Sequence, residues 1–222
     1  MSRAHEPSIS ERDVTIAAGD RTIRGTLKLP RGAGAVVVFA HGSGSGRFSP
    51  RNQYVAQVLQ AAGLGTLLLD LLEEDEANDR SKVFDIGLLA KRLQAAAEWL
   101  SSQPETQRLR LGYFGASTGA GAALVAAAQA PQSVGAVVSR GGRPDLARDA
   151  LPHVIAPTLL IVGGDDEVVL ELNREAFDQL TGIRQLDVVP GATHLFPEPG
   201  ALEEVAQLAR EWFLHYLTPS SS

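Results

Sequence analysis

The segment Ala35-Val36-Val37-Val38-Phe39-Ala40 is apolar without a break, the pattern of a strand buried on both faces. Runs at Gly65–Leu71, Val134–Ser139, Thr158–Val162 and Arg184–Val189 predict further strands, as does the stretch beginning at Leu109. Segments with helical patterning lie between them, at about Pro50–Ala62, Val83–Leu100, Thr118–Gln129, Val169–Leu180 and Gly200–Leu217. Ahead of all these, Val14–Ile16 and Ile23–Leu29 flank a Gly19-Asp20 turn and predict an antiparallel hairpin. The alternation of Ile23, Gly25, Leu27 and Leu29 predicts that the second hairpin strand is a sheet edge with one wet face. Residues 1–11 and 218–222 read as flexible tails. Strands alternating with helices imply an open, mostly parallel sheet covered on both faces, with the hairpin at one edge. The absence of an internal repeat or linker makes residues 1–222 one domain.

Composition narrows the function classes. The net charge is −6 and there is no basic run, so nucleic acid and anionic membrane surfaces are not expected partners. The chain has no cysteine, which excludes disulfides, thiolate metal sites and a cysteine nucleophile. The polar start, Met1–Asp13, has no apolar core of a signal peptide, and no apolar run is long enough to span a membrane. The expectation is a cytoplasmic protein acting on a small molecule, as monomer or homodimer, without metal or cofactor.

The chemistry centres on Gly115-Ala116-Ser117-Thr118-Gly119, a G-x-S-x-G pattern between a strand and a helix. Such an elbow strains the serine backbone and lifts its hydroxyl above the sheet, and its flanking residues must be small. The following helix is rich in Ala and Gly, so its backbone can lie close to the sheet. In parallel sheets ligands bind beyond the carboxyl ends of the strands. Polar residues at those ends are His41-Gly42-Ser43-Gly44, Asp70, Ser117, Ser139-Arg140, Asp165-Asp166 and Thr193-His194. A serine, an acid and a histidine therefore occur in the order Ser, Asp, His. Ser117 is the candidate nucleophile and His194 the candidate base, with a side chain suited to proton transfer near neutral pH. His5, His153 and His215 fit the pattern less well, His215 on the solvated side of its helix. Both Asp165 and Asp166 follow the strand, and periodicity does not choose between them.

Taken together, His41-Gly42-Ser43-Gly44, Gly115–Gly119, Gly163-Gly164-Asp165-Asp166 and Gly191-Ala192-Thr193-His194 resemble the α/β-hydrolase fold. More narrowly, the chain resembles the dienelactone hydrolase-like branch of small hydrolases, over about Val14–Leu217. The resemblance implies Asp166 as the acid, through the pattern G-G-x-D-x-x-V, and a structural role for His41. Dienelactone hydrolase itself carries a cysteine nucleophile where this chain has Ser117, so the resemblance implies no particular substrate. The oxyanion hole is expected from the backbone amides of Thr118 and Ser43. A phosphate cradle at the glycines of residues 42–46 is disfavoured, because no Lys-Ser/Thr ending follows.

Arg140 and Arg47 are candidate contacts for an acidic substrate group. The alternative for them is an ion pair with Asp145, Asp149 or the acidic loop after Asp70. The run Glu73–Glu76 reads as a solvated loop. Gly141–Pro157 is too short for a large cap, which predicts an open site. The expected reaction is hydrolysis of a carboxylic ester, lactone or thioester. Acyl transfer, perhydrolysis or peptide cleavage on the same residues are the alternatives, as is a non-catalytic binding protein.

Overall fold

The computed structural model describes residues 8–218; the terminal residues 1–7 and 219–222, which hold most of the expected tails, lie outside the described part. Eight strands form one sheet: β1 (Ile9–Ala18), β2 (Arg21–Pro30), β3 (Ala35–Ala40), β4 (Gly65–Asp70), β5 (Arg110–Ala116), β6 (Val134–Arg140), β7 (Thr158–Gly163) and β8 (Arg184–Val189). Their spatial order is β1-β2-β4-β3-β5-β6-β7-β8. β1 with β2 and β2 with β4 are antiparallel, and every other neighbouring pair is parallel. This is the expected mostly parallel sheet with an antiparallel hairpin at one side.

The helices are α1 (Pro50–Ala61), α2 (Glu74–Ala77), α3 (Arg80–Val83), α4 (Ile86–Ser102), α5 (Thr118–Gln129), α6 (Glu167–Gln179) and α7 (Ala201–Leu217), with a 3₁₀ segment at Pro144–His153. Alternate residues of the central strands point to opposite faces. Val36, Val38, Tyr113 and Val137 pack with Leu93, Ala122 and Ala126 of α4 and α5. Val37, Phe39, Phe114 and Val138 pack with Val55, Leu59, Val205 and Phe213 of α1 and α7. The unbroken apolar runs follow from this double cover.

Four expectations need correction. The first strand starts at Ile9, so Ile9, Ser10 and Glu11 are paired with Pro30, Leu29 and Lys28 and are not part of a tail. These residues are exposed, and backbone pairing at an edge needs no apolar side chain. For the same reason β1 is the edge, and β2, paired on both sides, is internal.

The long helix begins at Ile86 and not at Val83, because Asp85 caps it by accepting from Leu88 N–H at 2.9 Å. Such a cap is worth about 1 kcal/mol. The acidic run is only partly solvated. Glu76 is 3% exposed and accepts two hydrogen bonds from the buried Arg92, at 2.6 and 2.8 Å. Arg92 also donates to Leu71 O at 2.6 Å, which fastens this segment to the end of β4.

Candidate active site

β5 runs directly into α5 through Ser117, whose backbone sits at φ 51°, ψ −122°. A positive φ on a residue with a Cβ is strained, and such strain persists only where the surroundings impose it. The surroundings here are close backbone contacts. A Cβ on Gly115 would lie 2.4 Å from Ala120 Cα, and one on Gly119 would lie 2.2 Å from Ala40 O. Glycine at both positions lets α5 press against the ends of β5 and β3. The turn is further held by Ser117 N–H donating to Arg140 O at 3.3 Å and by Arg143 N–H donating to Ser117 O at 3.0 Å.

His194 and Asp166 are brought together from two other strand ends. His194 Nδ1 is 2.6 Å from Asp166 Oδ2. The carboxylate accepts, so Nδ1 carries the proton and Nε2 is left with its lone pair. Asp166 stands at the N-cap of α6 but makes no side-chain capping bond, which leaves its carboxylate to the histidine. Asp165 is exposed, and its N–H donates to Ala192 O at 3.0 Å. The two aspartates thus differ in direction, a distinction invisible to periodicity.

The loop carrying His194 is tied by groups that sequence reasoning did not single out. Glu198 accepts from Thr193 N–H at 3.1 Å and from Thr193 Oγ1 at 2.6 Å. These bonds, first the one from the hydroxyl, hold the Glu198 carboxyl below its ordinary pKa. Phe196 is 1% exposed with φ 54°, a second strained residue. The imidazole lies over Gly141, where an added Cβ would be 3.6 Å from His194 Cε1. Gly141 follows Arg140, the last residue of β6, whose carbonyl accepts from the Ser117 amide. Among the described residues no hydrogen bond joins Ser117 Oγ to His194, whose bonded ring nitrogen is the one facing Asp166. Buried Asn173 of α6 donates to Gly142 O at 3.0 Å and steadies the same corner. A glutamate four residues after a histidine, or an asparagine within a helix, carries no distinctive signal in one sequence.

The loop after β3 passes over the serine. A Cβ on Gly42, the residue before Ser43, would lie 3.0 Å from Ser117 Cβ. Thr118 opens α5, where first-turn amides have no helical acceptor. Neither the Thr118 nor the Ser43 amide makes a hydrogen bond among the described residues. His41 sits below this loop, 8% exposed. Its Nδ1–H donates to Gly42 O and its Nε2 accepts from Leu71 N–H, both at 2.9 Å. Burial lowers its pKa, so it stays neutral and splices the ends of β3 and β4.

The arginines have different fates. Arg47 is ion-paired with Asp70 and stacks on Phe48 at 4.5 Å. Arg143 forms a bidentate pair with Asp145 at 2.8 and 2.7 Å. Arg140, for which an ion pair was the main alternative, has none among the described residues, although it is only 6% exposed.

A groove of about 860 Å³ opens beside the loop after β3, lined by His41, Ser45, Arg47, Phe48, Asp70 and the α2 segment. Ser117 and His194 are not in its lining. No three His, Asp or Glu side chains among the described residues converge as a metal site requires. No helix among them is long and apolar enough to cross a membrane.

Comparison with known proteins agrees with this architecture. Residues 23–217 match the model of the dienelactone hydrolase family. The chain belongs to the dienelactone hydrolase family. A dienelactone hydrolase from Anabaena variabilis superposes with a TM-score of 0.92 at 59% identity, over 96% of this chain and 100% of that one. Est1E from Butyrivibrio proteoclasticus shares the fold alone, with a TM-score of 0.78 at 17% identity, over 92% of this chain and 98% of that one. A putative phosphoribosyl transferase of Mycobacterium tuberculosis is 58% identical over 217 residues, 98% of this chain and 49% of that protein. The chain therefore spans about half the length of that relative.

Proposed function

We propose that this dienelactone hydrolase family member is a serine hydrolase that cleaves a carboxylic ester, lactone or thioester through an acyl-enzyme on Ser117. The observation that carries the reading is the strained elbow at Ser117 with the His194–Asp166 pair, at 2.6 Å, held over the neighbouring strand end. A serine hydroxyl is a weak nucleophile, and His194 Nε2 removes its proton as it attacks the carbonyl. Asp166 holds the imidazole in the required tautomer and stabilises the imidazolium without taking the proton. The unpaired amides of Thr118 and Ser43 donate to the oxyanion, in a place where they need no reorganisation. His194 then protonates the leaving group. Water, activated by the same histidine, releases the acid and restores Ser117. The substrate of this reading is a small molecule, and the chemistry draws on no cofactor.

Intact-mass labelling with a fluorophosphonate tests the proposal, on wild type and Ser117→Ala. One adduct on wild type and none on the variant is the expected result. Folded wild type that stays unlabelled would overturn it, and the binding-protein reading would replace it.

A further inference from the structure

We infer that the cavity between the C-terminal ends of α4 and α5 binds a small uncharged alcohol or phenol, whose hydroxyl sits between the Tyr113 hydroxyl and the Glu98 carboxylate. The site stands apart from the chemistry at Ser117 and does not rest on the hydrolase reading.

The cavity has a volume of about 350 Å³. Val36 of β3 and Leu111 of β5, each the second residue of its strand, line it. It therefore opens at the edge of the sheet where the parallel strands begin, opposite the edge that carries Ser117. Its space comes from small side chains. Ala97 of α4 and Ala130, at the C-cap of α5, are too short to fill the gap where the two helices leave the sheet. Leu100 and Leu109 extend the apolar wall. Gln94 Nε2 donates to Gln129 Oε1 at 2.9 Å and ties the two helices together beside it. Apolar walls with a few placed polar groups are the usual make-up of a small-molecule site.

The placed groups are Tyr113 and Glu98, both in the lining. Tyr113 lies on the face of the sheet that packs on α4 and α5, and it is fully buried. Its hydroxyl nevertheless has no hydrogen-bond partner among the described residues. A buried tyrosine hydroxyl ordinarily finds one, and leaving it unmatched is costly. Burial, and then the Glu98 carboxylate, push the Tyr113 pKa up, so the group is a donor at neutral pH. A donor and an acceptor thus stand near each other without bonding. A hydroxyl is the group that answers both, accepting from Tyr113 and donating to Glu98. A ketone or ether would answer only Tyr113, and a carboxylate would be repelled by Glu98. The other content open to the cavity is water alone, bridging the same two groups.

Calorimetric titration of 4-propylphenol and 4-propylbenzoate into wild type and three variants separates these contents. Wild type is expected to bind the phenol with a Kd on the order of 0.1–1 mM, and the benzoate about ten-fold more weakly or not at all. Tyr113→Phe keeps the ring and removes only the hydroxyl; it is expected to weaken phenol binding about five-fold or more. Glu98→Gln, at an exposed position, is expected to narrow the gap between phenol and benzoate. Ala97→Leu fills the cavity and is expected to abolish binding, which tells this cavity from the elbow at Ser117. If Ala97→Leu does not fold, Ala130→Leu serves the same purpose.

Folded wild type that binds no phenol would overturn the inference and leave the cavity to water. Phenol binding that is unchanged in Tyr113→Phe, or that persists in the folded cavity-filling variant, would also overturn it, as would an unchanged gap in Glu98→Gln. None of these results depends on fluorophosphonate labelling, whose failure would sink the hydrolase reading alone.

Discussion

Replacing Glu76 by Gln isolates one buried charge pair and gives a magnitude that can be checked. The Glu76 and Arg92 side chains are 3% and 4% exposed and meet at 2.6 Å. The Arg92 hydrogen bonds, helped by the Glu73 amide and Lys82, hold the Glu76 carboxyl far below its ordinary 4.5, at about 2. Glutamine closely mimics the protonated acid, so the variant removes the ionised state and little else. The gap between 4.5 and about 2, at about 1.36 kcal/mol per pH unit, makes the ionised pair worth about 3 kcal/mol at pH 7. That agrees with the ~3–5 kcal/mol typical of breaking a buried pair by removing one partner.

The sign follows from the lowered pKa. This stability is fully present above the unfolded-state value and is lost as pH falls toward the folded-state value. The difference between wild type and variant should therefore narrow from about 3 kcal/mol at pH 7 to about 2 kcal/mol at pH 3.5. Urea unfolding of both proteins at pH 7, 4.5 and 3.5 measures it. A difference below about 1 kcal/mol at pH 7, or one that does not narrow in acid, would refute the reasoning. The pair also bears on the site, because Arg92 holds Leu71 O while the Leu71 N–H is bonded to His41.

Asp166→Asn should lower kcat by roughly 10⁴, since the amide favours the wrong imidazole tautomer, while Asp165→Asn should change it little. Steady-state kinetics on both variants decides, and a greater loss in Asp165→Asn would reassign the acid. Gly119→Ala would set a Cβ 2.2 Å from Ala40 O and 2.5 Å from His41 O, both unable to move without shifting the loop after β3. It should cost about 1–3 kcal/mol of stability and reduce kcat; urea midpoints at wild-type values would show that α5 is not pressed against β3 as described.

Much of the fold was legible because burial on both faces leaves a direct mark on sequence. The runs at Ala35–Ala40 and Thr158–Val162 are strands because no water reaches either side, and Gly115 and Gly119 announce a backbone contact too close for a side chain. The order serine, aspartate, histidine was visible because polar residues follow the ends of parallel strands, but the choice of Asp166 over Asp165 came only from the family resemblance. Edge pairing was not visible. Ile9–Glu11 join β1 through backbone hydrogen bonds, which any residue supplies.

The sequence by itself determined the layered architecture and the elbow, since both depend on local size and hydrophobicity. Only the tertiary structure decided which charged groups meet. It joined Glu76 to Arg92, sixteen residues apart, and turned a supposed solvated loop into a buried anchor. It turned Asp166 toward His194 and Asp165 to solvent, gave Asp70 to Arg47, and left Arg140 without a carboxylate. Charge pairing depends on distances across the fold and on the exclusion of water, and neither is encoded in the spacing of residues along the chain.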